Sequence, residues 1–109
     1  MRTDATMTNK GKKMSKTKSA TKSKRVIAVG NQILVRLVTH YHVGRVVEIG
    51  DGYAILEDAA WVASTGRFSD ALATGTLDEV EPCAGRVEIG LGAVVDAHPW
   101  PHTLPAVRK

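Results

Sequence analysis

The histidines are the residues whose types and spacing come nearest to chemistry: His40-Tyr41-His42 and, near the end of the sequence, His98-Pro99-Trp100-Pro101-His102. Alternate residues of a strand point to one side, and imidazole is a good zinc or nickel ligand, so His40 and His42 can share a face. Two such ligands make only half a site. The prolines around His98 and His102 prevent the helical i, i+4 pair that would join those two. Surface and turn histidines are therefore expected, with no metal and no cofactor. Ser64, Thr65 and Ser69 lack the strand-turn-helix setting of a nucleophile elbow, and Cys83, beside Pro82, has no identifiable base. No catalytic residue is expected. Gly44, Gly50, Gly52, Gly90 and Gly92 lack the spacing of a dinucleotide or phosphate-binding loop and are explained by bends and turns.

The stronger signal is charge. The formal net charge of +4 hides a division within the chain. Residues 1–25 carry nine basic side chains against one acid, and the remainder carries six basic side chains against ten acids. Lys10, Lys12, Lys13, Lys16, Lys18, Lys22, Lys24 and Arg25 are separated mostly by small residues. Cations so spaced can follow a phosphate backbone and release its counterions, but they read no base sequence. Within the body, Tyr41 and Arg45 are the best surface candidates for stacking on and pairing with a nucleic acid. The acidic residues Asp78, Glu79, Glu81 and Glu88 form a solvated face that can also meet the basic arm.

Positioning such residues takes a body, and the length allows only one. The chain has 109 residues. The first 25 contain no aromatic residue and too little apolar surface to offset the entropy of ordering, which predicts a disordered arm. The rest of the chain, about 80 residues, can build a small core of the kind that oligomer contacts often reinforce. A single cysteine excludes a disulfide framework and a cysteine-based zinc site, so a reducing, cytoplasmic setting is the default expectation. No apolar run approaches the roughly 20 residues that span a bilayer, and the polar N-terminus does not resemble a signal peptide. No membrane partner is expected.

From Val26 the composition turns to Val, Ile, Leu and Gly, which divides the chain into an arm over 1–25, a domain over 26–98 and an extended tail over 99–109. Alternation predicts strands at Gln32 to Val38, His42 to Ile49 and Tyr53 to Glu57, the last two joined by a tight turn at Gly50-Asp51-Gly52. Gly44 inside the second strand marks a bend or a close backbone approach. Residues 58–76 read as an insertion, with a helical turn through Ala59, Ala60, Trp61 and Ala63 and a second short helix capped by Ser69 and ended by Gly75. Shorter strands are expected at Thr76 to Glu81, Arg86 to Ile89 and Ala93 to Ala97. Trp100 should lie against the domain.

This order of features resembles the Sm-like (LSm and Hfq) fold, a strongly bent five-stranded barrel that assembles into rings. The residues that carry the resemblance are Ile33 to Val38, Gly44-Arg45-Val46-Val47-Glu48-Ile49, Asp51 and Ile55-Leu56-Glu57-Asp58, with a partial second motif in Gly90-Leu91-Gly92-Ala93-Val94-Val95. It spans roughly residues 30 to 98. The family's nucleotide pocket uses an Asp and an Asn in its first loop and an Arg in its second; here Asp51 is present, Ala54 stands near the Asn position and Leu91 stands for the Arg. The family's RNA site is therefore not carried over. Gly44 to Ile49 is equally similar to the core of a KOW element, which implies an SH3-like barrel. The fold expected is mainly β: a small bent five-stranded Sm-like or SH3-like barrel with a short helical insertion and a basic N-terminal tail. The expected function is that of a non-enzymatic, self-associating barrel, a homo-oligomer binding DNA or RNA through its tail. The alternative is a structural or protein-interaction subunit of a larger assembly, a ring, virion-type or KOW/SH3-like adaptor without a nucleic-acid role.

Overall fold

The computed structural model of the chain describes residues 25–109. They form one antiparallel sheet with the order β4-β3-β2-β1-β6, while β5 also pairs with β3. The strands are β1 (Gln32–Arg36), β2 (Tyr41–Gly50), β3 (Tyr53–Ser64), β4 (Glu79–Pro82), β5 (Val87–Gly90) and β6 (Asp96–Pro99). One helix, α1 (Phe68–Thr74), stands between β3 and β4, and a 3₁₀ turn (Leu91–Ala93) leads from β5 towards β6. No helix among the described residues is long and apolar enough to cross a membrane.

Strands β2 and β3 are the spine. They pair from Tyr41↔Val62 to Gly50↔Tyr53, turning at Asp51-Gly52, where Gly52 has a φ of 83°. Their register shifts between Val43 and Arg45 and again between Val46 and Glu48. Opposite the first shift, Asp58 adopts a φ of 51°, a left-handed conformation that Asp tolerates better than most residues. Such irregularities bend and twist a strand pair, and they let each strand serve two different cores. β5 takes the first half of β3, at Tyr53 to Leu56, and β4 takes the second, at Ala60 to Ser64.

Strand β1 is buried on both sides. Ile33 and Val35 enter one cluster with Val46, Ala54, Leu56, Ala59 and Ile89, while Leu34 enters a second with Val43, Ala60, Val62, Val80 and Trp100. Continuous burial explains why β1 reads as an apolar run. Helix α1 covers the second cluster through Ala71, and the C-terminal segment seals it with Trp100, 1% exposed. That segment is held by Gln32 Nε2, which donates to the carbonyls of Trp100 (2.9 Å) and His102 (2.8 Å). Lys109 then exchanges two backbone hydrogen bonds with Val80, covering the outer edge of β4.

Four expectations need correction. The barrel is not closed: among the described residues no ladder joins β5 to β6. Each of those strands is four residues long, and the turn between them packs Leu91 and Val94 onto the first cluster, so side chains rather than backbone pairs occupy the gap. The helical turn expected over Ala59 to Ala63 is strand. Pairing on both sides, Trp61 with His42 and Glu81 and Val62 with Tyr41 and Val80, overrides the helix preference of alanine. Ser69 is not the cap of α1; Arg67 holds that position without a side-chain cap bond, whereas Gly75 ends the helix in the left-handed region as expected. The strand expected at Ala93 to Ala97 begins later, at Asp96, because the 3₁₀ turn runs to Ala93 and Val94 is its C-cap.

Candidate functional site

Of the sequence-derived candidates for polyanion contact, Lys10, Lys12, Lys13, Lys16, Lys18, Lys22 and Lys24 lie outside the described residues. Arg25 is exposed where the described chain begins, and Asn31 Nδ2 donates to the carbonyls of Arg25 (3.4 Å) and Val26 (3.1 Å). These bonds tie the first described residues to the start of β1.

The two body candidates are not brought together. Tyr41, first residue of β2, packs on the Trp100 cluster and stacks on Phe68 of α1 at 5.9 Å and 25°. Arg45 lies beyond the first register shift and is held by Asp58 (2.8 Å) and Glu57 (3.3 Å). The hydrogen bond from Arg45 to Asp58 leads the interactions that raise its pKa further. A phosphate at Arg45 would have to displace two carboxylates. Arg86 also donates to Glu57 at 2.9 Å, and Arg36 donates to Asp96 at 2.7 Å. Asp96 is held below the usual carboxylate range, first by that hydrogen bond from Arg36 and further by His98 at 3.0 Å. Three arginines of the body are thus neutralised locally.

The histidines separate into three roles. His102 Nε2 donates to the Leu72 carbonyl at 2.8 Å, satisfying a backbone acceptor near the end of α1. His98 packs edge-on against Phe68 and joins Asp96. His40 and His42 meet, with their Nε2 atoms 3.2 Å apart. Burial, and then the neighbouring His40, push the His42 pKa down, while the backbone at Ala60 acts the other way. His42 Nδ1 is buried and closes no hydrogen bond. His40 also lies against Trp61, ring centroids 5.5 Å apart, and Trp61 is 39% exposed.

Among the remaining nucleophiles, Ser64 Oγ accepts from the Gly66 N–H (3.2 Å) and the Thr65 hydroxyl donates to the Gly66 carbonyl (2.9 Å). Cys83 is partly buried, its N–H bound to the Ala59 carbonyl. Phe68, Asp96 and Trp61 were not legible as partners of the candidate residues. Only period-two alternation carried through Ala60-Trp61-Val62 would have turned Trp61 outward beside His42.

Comparison with protein-family models and with curated proteins finds no match to this chain.

Proposed function

We propose that this protein is a non-enzymatic module built on an open, bent β sheet that binds nucleic acid nonspecifically through its N-terminal arm and associates with copies of itself through its body. The observation that carries the reading is the distribution of charge: nine basic side chains against one acid over residues 1–25, on a body with ten acids and six basic side chains. The pairing of Arg36, Arg45 and Arg86 with carboxylates supports it, because it leaves the body little positive field to attract phosphate. The form of the module rests on the strand path, in which the last strand returns to pair with the first while β2 and β3 bend between two cores and the sheet stays open between β5 and β6. Self-association rests on the outer edges of β5 and β6, which have no backbone partner among the described residues.

The deciding experiment compares the full chain with one starting at Val26, for binding to duplex DNA and single-stranded RNA across a salt series and for mass by light scattering. The full chain should bind both with little sequence preference, and log K should fall with log salt by about 0.9 for each phosphate neutralised on duplex DNA. The shortened chain should lose binding and keep its oligomeric mass. Retained binding would place the interface on the body; a monomer in both would remove self-association.

A second reading, a protein-interaction subunit, is favoured by an open apolar groove. A cavity of about 390 Å³ lies between the C-terminal segment and β4, lined by Leu77, Val80, Leu104 and Val107 among others. It predicts a defined complex and no nucleic acid on the purified protein.

A further inference from the structure

His40, just before β2, and His42, its second residue, face one another with their rings nearly perpendicular at 81°. Nitrogens bound at about 2.0–2.1 Å to a tetrahedral ion stand roughly 3.3 Å apart. The Nε2–Nε2 distance here is 3.2 Å, so the pair already has a chelating bite. His40 Nδ1 is 2.8 Å from the Thr39 hydroxyl, which donates to Nδ1 in one tautomer and accepts from Nδ1–H in the other, the second leaving the Nε2 lone pair free. His42 Nδ1 is buried and unpartnered, so Nε2 is the nitrogen through which that ring meets His40.

We propose that His40 and His42 form a two-histidine site for a late first-row divalent cation of the zinc, nickel or copper class, its remaining positions open to solvent. Among the described residues no third His, Cys, Asp or Glu completes a cluster, so the protein supplies two ligands and water the rest. Imidazole nitrogen selects these ions over magnesium or calcium, which take oxygen ligands. In the metal-free pair His40 Nε2–H donates to His42 Nε2. On binding, that proton moves to His40 Nδ1, where the Thr39 hydroxyl accepts it, both imidazoles stay neutral, and the two Nε2 lone pairs bond the ion.

Trp61 gives the readout, since its ring lies 5.5 Å from that of His40. Ni²⁺ titrated into the full chain near neutral pH should quench Trp61 emission saturably. Zn²⁺ should compete the quench away, and Mg²⁺ should not cause it. Loss of even a residue that only orients a ligand typically costs 10–100-fold in metal affinity, so His40→Ala should raise the midpoint at least about tenfold. His40→Gln, closer in size, should do the same, and His98→Ala should leave the midpoint unchanged. A Trp61→Phe chain retains only the emission of Trp100, 1% exposed, and should not respond. An unaltered midpoint in both His40 variants, or no quench at roughly millimolar Ni²⁺, overturns the site.

Discussion

At the scale of single residues, the shape of the domain rests on positions where a methyl group decides the outcome. A Cβ added to Gly44 would lie 3.0 Å from Ala59 Cβ and 3.1 Å from Leu56 Cβ, in the crossing of β2 and β3. Neither neighbour has a flexible end that can move aside, so Gly44→Ala should destabilise the fold by about 1–3 kcal/mol, read from urea unfolding. The close approach expected from a glycine within a strand is present here. Asp96 tests the electrostatics. Its pKa is depressed below the ordinary 3.8, mainly by the hydrogen bond from Arg36, so the native state binds fewer protons than the unfolded chain as pH falls through that region. The contribution of Asp96 to stability is complete well above pH 3.8 and is lost as pH falls towards its lower folded value. Stability curves of the native chain and Asp96→Asn should therefore run parallel above about pH 5 and converge below it. The group is solvent-accessible, so the gap should be small and shrink with salt.

At the scale of elements, β3 decides how the sheet is divided. It is 12 residues long and gives its first half to β5 and its second to β4. The left-handed Asp58 lies between the two halves. Asp58→Asn keeps a side chain tolerant of that conformation and removes only the charge that holds Arg45, so it should cost less than about 1 kcal/mol. Asp58→Ile places a β-branched residue there and should cost about 1–3 kcal/mol. Thermal melts of the two variants distinguish backbone conformation from ion pairing. If both lose stability equally, the salt bridge and not the bend is what Asp58 contributes. The helix expected at Ala59 to Ala63 failed for a related reason. Alanine runs are neutral towards partners, and here strands stood on both sides to receive one.

At the scale of the whole molecule, the C-terminal segment behaves as part of the domain, with Trp100 in the second core and Lys109 paired to β4. Trp100→Ala should cost about 3–5 kcal/mol, read from chemical denaturation, which is a large share of the stability of so small a core. Its loss should also release the Gln32 side chain from the carbonyls it now binds. Local pattern determined a substantial part: the arm's charge, the hairpin at Asp51-Gly52, the strand identity of β1 and β2, and the glycine that ends α1. Each depends on neighbours within a few residues, on backbone preference or on alternation. Only the tertiary structure decided which arginines are neutralised, that Tyr41 lies on Phe68, that Trp61 stays partly exposed beside His40, and that the sheet remains open between β5 and β6. Those outcomes join residues as distant in sequence as Arg36 and Asp96, where no local preference acts and the register of β1 with β6 selects the partner.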